Sequence, residues 1–193
     1  MWKLIFFLLF TEISFAQSYL SLNFEKSSIN KAEFGNLNGL SISYNVRTIN
    51  RKYFALEFGG EFNYQFDSFS KSDPRLGNLY KVKVDVFKYE LNTRFILNRF
   101  PIKPYVIIGL GMENFRRKVN LNPQIIFLYP LQNLNNNSLY TKFGLGLSFV
   151  LLKNIAINTQ YSWYAFNYTN WTFEVTQIQN SRQGLSAGVS YRF

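Results

Sequence analysis

Two carboxylates four residues apart, Glu57 and Glu61, are the feature of this chain that most resembles acid–base equipment. In an extended segment, residues i and i+4 share a face and stand about 13 Å apart along it. That is too wide for one shared proton-transfer site. Each carboxylate calls instead for a cationic partner, because a sealed charge is costly unless paired. The chain has no histidine and no cysteine. Without an imidazole there is no ordinary base for a serine nucleophile. Metal sites built on histidine or cysteine are likewise excluded, as is a disulfide framework. The Gly-x-Gly pairs at Gly109/Gly111 and Gly144/Gly146 are not phosphate loops, since no helical pattern follows them. Inside strands they relieve crowding. The expectation is a protein without catalytic residues, metal or cofactor.

Charge is the other chemistry on offer. Lys and Arg number 21 against 11 Asp and Glu, a net +10. No segment interleaves basic residues with stacking aromatics, so nucleic acid is not an expected partner. Two basic groups stand out: Lys71, Arg75, Lys81 and Lys83, and then Arg116, Arg117 and Lys118. Downstream of the second runs an apolar stretch, Ile125, Ile126, Phe127, Leu128 and Tyr129, between Pro123 and Pro130. An apolar run in a connecting segment is a candidate protein-binding edge.

The elements that carry these residues have a period of two. In the last segment Leu185, Ala187, Val189, Tyr191 and Phe193 alternate with Gly184, Ser186, Gly188, Ser190 and Arg192. Such alternation marks strands with two unlike faces. Eight segments carry it, at about 18–26, 37–48, 53–66, 82–97, 104–115, 139–152, 155–165 and 183–193. The fourth changes phase between Val82, Val84, Val86 and Phe87, Tyr89, Leu91, which predicts a bulge near Val86–Phe87 or a first half standing above a membrane. In the fifth, Val106, Ile108, Leu110 and Met112 are expected outward, and Gly109, Gly111 and Glu113 inward. Connections after segments two, four and six are brief. Those after one, three, five and seven, roughly 27–36, 67–81, 116–138 and 166–182, are long and polar.

The polar faces carry Glu57, Glu61, Lys88, Glu90, Arg94, Glu113, Lys142 and Arg192, mixed with small residues. That is the composition of a lumen plugged by ion pairs, and eight strands enclose a space just wide enough for side chains to fill. The apolar faces then meet lipid, and the sheet must close because no backbone group can go unpaired there. The predicted fold is all-β: an eight-stranded antiparallel up-and-down transmembrane β-barrel over residues 17–193. Residues 1–16, with Lys3, an apolar run from Leu4 to Phe10 and the small residues Ser14 and Ala16, read as an export signal peptide. Aromatic belts are expected from Tyr53, Phe54, Phe95, Phe100, Tyr105, Tyr191 and Phe193 near the short turns. Tyr64, Phe66, Tyr80, Tyr140, Trp163 and Tyr164 form the set near the long connections.

The terminal Gly188-Val189-Ser190-Tyr191-Arg192-Phe193, together with Pro104-Tyr105-Val106 and Gly109-Leu110-Gly111, resembles the small eight-stranded outer-membrane barrels of the OmpA/OmpX type, PorT-like barrels included. The resemblance covers the whole chain after the signal and implies a bacterial outer-membrane location with both termini periplasmic. It implies that Tyr191 and Phe193 form the signal read by the outer-membrane assembly machinery. It also implies lipid and lipopolysaccharide as surroundings, with the two basic groups as candidate lipopolysaccharide contacts. Barrel enzymes of this size that act on lipid or peptide rely on a histidine, which is absent here. The expected function is therefore a structural and interaction protein, an anchor presenting loops or a rim to a protein partner in the envelope. A narrow pore is the alternative, and a soluble lipid-carrying barrel a third.

Overall fold

The computed structural model describes residues 17–28, 36–73, 77–99, 101–121, 134–167 and 181–193. The expected signal peptide, Arg75, Phe100 and the apolar run Ile125 to Tyr129 lie outside the described residues.

Eight strands follow one another around a closed barrel: β1 (Gln17–Ser28), β2 (Asn36–Asn50), β3 (Phe54–Asp73), β4 (Gly77–Leu97), β5 (Ile102–Leu121), β6 (Leu134–Leu152), β7 (Ile155–Asn167) and β8 (Ser181–Arg192). All neighbours are antiparallel, and β1 pairs with β8 to close the wall, Leu22 opposite Val189. The alternation decides the faces. Leu20, Leu22 and Phe24 of β1 are exposed while Ser21, Asn23, Glu25 and Ser27 are buried. Around the barrel the exposed side is apolar, reaching 75% exposure at Leu91 and 65% at Leu110, and the buried side is polar and charged. This inverts the arrangement of a water-soluble protein and is that of a barrel in lipid.

The wall is uneven in height. Strands β3 to β6 have 20, 21, 20 and 19 residues, against 12 in β1 and β8. About 9–11 tilted residues cross the hydrocarbon layer, so one side of the wall continues well beyond it at the end away from the short turns. Most of the connection expected at 67–81 is therefore ladder, running to Asp73 opposite Gly77. The connection expected at 116–138 begins only after Leu121 and ends before Leu134.

The expected bulge near Val86–Phe87 is absent. Register is continuous from Val82 to Ile96 against both neighbours. Val82, Val84 and Val86 point inward in the same phase as Lys88, Glu90, Asn92 and Arg94. What changes along β4 is the nature of the interior: the valines pack with Leu37, Phe115 and Val119 into an apolar cluster above the charged lumen. Register shifts occur instead at Arg47/Ile49, Lys71/Ser72 and Val150/Leu152. On β5 the expected phase is observed, with Ile108, Leu110 and Met112 exposed and Gly109 and Glu113 inward.

Three expected belt aromatics belong to the interior. Tyr105, Tyr140 and Tyr164 are buried, in phase with Ile107, Lys142 and Ser162. Tyr53, Phe54, Phe95, Tyr191 and Phe193 remain exposed near the short turns, as do Phe66 and Trp163 toward the other end. An aromatic at a strand end reads the same on either face until its phase is known.

Candidate functional site

Three ion-pair groups span the lumen, each joining strands from opposite sides of the wall. Lys142 of β6 reaches Glu61 of β3 at 3.2 Å and Glu90 of β4 at 3.0 Å. The Tyr140 hydroxyl donates to the other Glu90 oxygen at 3.2 Å. Glu25 of β1 pairs with Lys88 of β4 at 3.4 Å and accepts from the Tyr164 hydroxyl of β7 at 2.9 Å and from the Asn63 amide. The Lys88 ammonium also lies 4.1 Å from the Tyr164 ring centre, a cation–π contact. Farther from the short turns, Arg182 of β8 meets Glu113 of β5 at 2.7 Å, with the Phe166 ring 4.6 Å from its guanidinium. Lys88, Lys142 and Arg182 are among the largest fully buried side chains of the protein.

The glycines make room for these groups. A Cβ at Gly109 would stand 2.8 Å from the Glu90 carboxyl, one at Gly111 2.5 Å from the Tyr140 ring, and one at Gly144 2.8 Å from Ile107. A narrow lumen holding long charged side chains needs hydrogen at such positions.

At the short-turn end the lumen widens into a recess lined by Arg47, Glu57, Arg94, Lys103, Tyr105 and Arg192 among others. Arg47 holds Glu57 at 2.7 Å and lies over the Tyr19 ring at 4.7 Å. Of the expected lumen residues, then, Glu61, Glu90 and Lys142 come together. Glu57, Lys88 and Glu113 instead pair with Arg47, Glu25 and Arg182. Arg94 and Arg192 line the recess without an ion pair among the described residues. Sequence reasoning passed over Glu25 and Arg182, although phase alone places Glu25 opposite Leu22 and Phe24, and Arg182 in step with Gly184. Arg182 lies one residue before the expected start of its segment.

The basic residues of β4 and β5 divide between faces. Lys81, Lys83, Arg116 and Lys118 are exposed on the outer face, Lys83 directly opposite Lys118 and Arg116 opposite Asp85. Lys83 approaches Asp85 at 3.6 Å, and Arg116 lies over the Phe87 ring at 5.4 Å. Arg117 corrects the expectation of an outer contact: it is buried, pointing inward with Glu113 and Phe115. Consecutive strand residues cannot share a face, so Arg116 and Arg117 had to separate. Arg75 lies outside the described residues, as does the side chain of Lys71.

A closed sheet with an apolar outside and a paired, charged inside defines a small transmembrane β-barrel of the outer-membrane type. Solved structures agree at the level of the fold. A major outer membrane protein from Thermus thermophilus superposes with a TM-score of 0.64 at 12% identity, covering 92% of this chain and 99% of that one. Ail, the attachment invasion locus protein of Yersinia pestis, in complex with the heparin analogue sucrose octasulfate, gives 0.57 at 16% identity, with 92% and 99% covered. Neisserial surface protein A gives 0.56 at 16%, with 92% and 97% covered. Identities this low speak for architecture alone. No protein-family model matches the chain, and no curated protein does. Among the described residues no group of acidic side chains is placed to hold a metal ion.

Proposed function

We propose that the chain is exported through residues 1–16 and inserted in the bacterial outer membrane with both termini periplasmic. Tyr191 and Phe193 end the strand offered to the assembly machinery. There it is a non-enzymatic anchor: the projecting ends of β3 to β6, with the 125–129 run between β5 and β6, face a protein partner of the envelope. Lys81, Lys83, Arg116 and Lys118 meet lipopolysaccharide phosphates beside the outer end of the apolar belt.

The observation that carries this reading is the cross-bracing of the lumen. Ties from β1 to β4, β3 to β6 and β5 to β8 run across the barrel through charges at most 8% exposed, and an apolar cluster lies beyond them. That favours an anchor over a pore, since open aqueous channels belong to barrels of about 16 strands. The basic residues sit on the lipid-facing side, in register beyond Tyr89 and Met112, where anionic headgroups would be met.

Native size in mild detergent is the decisive experiment. A particle much larger than one barrel with its micelle supports the partnered anchor. A lone barrel that passes stable unitary currents in a planar bilayer overturns the reading in favour of a pore. For the lipid contact, replacing Lys81, Lys83, Arg116 and Lys118 with Ser is expected to reduce co-purifying lipopolysaccharide. Unchanged retention removes that part of the proposal.

A further inference from the structure

Charge in the lumen is unevenly distributed. The deep groups bring Lys88, Lys142 and Arg182 against Glu25, Glu61, Glu90 and Glu113, and Arg117 also turns inward on the same face as Glu113, so cations and carboxylates there balance, four to four. The recess at the short-turn end does not balance: Arg47, Arg94, Lys103, Lys153 and Arg192 line it with a single carboxylate, Glu57. Glu57 is already engaged twice by Arg47, at 2.7 and 3.1 Å. Arg47 and Arg192 act on Lys103 as like charges.

Arg94 carries the argument. It is 7% exposed, and its Nε has no hydrogen-bond partner. No carboxylate lies within ion-pair distance of it among the described residues: Glu57, opposite it in register, turns to Arg47, and Glu61 turns to Lys142. Its neighbour is the Tyr105 ring, 5.5 Å away, which supplies packing and a partial counter-charge but no hydrogen-bond acceptor. A buried guanidinium with an unspent N–H is costly unless an acceptor reaches it. Its planar fork matches an oxyanion held by two parallel N–H groups. The recess has the room, a cavity of ≈ 60 Å³, against roughly 10–15 Å³ for one water. That admits a small oxyanion.

We propose that this recess is a binding site for a small oxyanion, a phosphate or carboxylate group, entering from the short-turn end. Arg94 is its buried anchor, and Lys103 and Arg192 its rim. The site is independent of the outer basic face and of any partner at the opposite end of the barrel.

The test uses the full chain in zwitterionic detergent, with inorganic phosphate and acetate titrated separately at constant ionic strength. The readout is the NMR signal of the arginine Nε–H groups. Saturable shifts at Arg94 are expected with at least one anion, and the anion that saturates first identifies the chemistry. Arg94→Gln should weaken binding by about tenfold or more, read at the Nε–H of Arg192. Lys103→Gln, at the part-exposed rim, should weaken it several-fold. Replacing Lys81, Lys83 and Lys118 with Ser should leave it unchanged. Shifts that never saturate, that sodium chloride alone reproduces, or that persist equally in both recess variants overturn the site.

Discussion

Lys142 shows what a single residue does in this lumen. Its ammonium lies within 3.2 Å of two carboxylates from two other strands, and it is almost wholly buried. Taking it away strands Glu61 and Glu90 beside each other. Lys142→Met is expected to cost about 3–5 kcal/mol, the usual penalty for removing one partner of a buried ionic group. Urea titration of the protein folded in lipid vesicles measures it. Adding Glu61→Gln and Glu90→Gln to the same chain should recover most of the loss, because the cost lies in the unpaired charge more than in the lost attraction. A full loss that the triple variant does not recover would mean that packing governs this site. The inward face of Glu57, Glu61 and most of the charged lumen residues was legible from phase. Which acid meets which base was not, since the partners lie far apart in sequence: Glu25 with Lys88, Glu113 with Arg182.

Strand boundaries are less legible in composition than strand faces. The segment 67–81 reads as a polar connection because Asp67, Ser68, Ser70, Lys71 and Ser72 crowd it. In the structure the ladder continues through it up to Asp73 and from Gly77, Ser68 opposite Lys83. A strand end that stands in water on its outer face has no reason to present apolar residues there, so the period-two signal fades before the ladder does. The valines of β4 kept the signal, but turned inward. The chain has no native cysteine, which makes the register directly testable. A Ser68→Cys/Lys83→Cys variant should form an intramolecular disulfide on mild oxidation, because opposed strand positions bring Cβ atoms within bonding reach. Ser68→Cys/Val86→Cys, off register and on opposite faces, should not. Equal cross-linking of the two pairs would show that the hairpin ends where the polar composition begins.

At the scale of the whole molecule, the question is which solvent the exposed face meets. Leu91 is the most exposed large apolar residue among the described ones, midway along the apolar outer stretch of β4 between Phe87 and Leu97 and opposite Leu110. Leu91→Arg should destabilise the vesicle-inserted protein by about 2–4 kcal/mol if this position sits at the bilayer midplane. In a water-facing barrel the same change would fall within about 0.5 kcal/mol. Comparing the variant's folding stability in lipid with that of Leu97→Arg, near the short turns, gives the depth profile that a membrane imposes and water does not.

Strand count, antiparallel order, apolar outside and charged inside are all written in the order of the residues. Each follows from local periodicity and the lengths of connections, which neighbouring residues carry. The sequence also excluded histidine- and cysteine-based chemistry outright. Only the tertiary structure decided the height of the wall, the inward turn of Tyr105, Tyr140, Tyr164 and Arg117, the pairing across the lumen, and the surplus of positive charge at one mouth. Those depend on barrel closure, which sets residues more than a hundred positions apart, such as Glu25 and Tyr164, within hydrogen-bond distance. No local pattern encodes that distance.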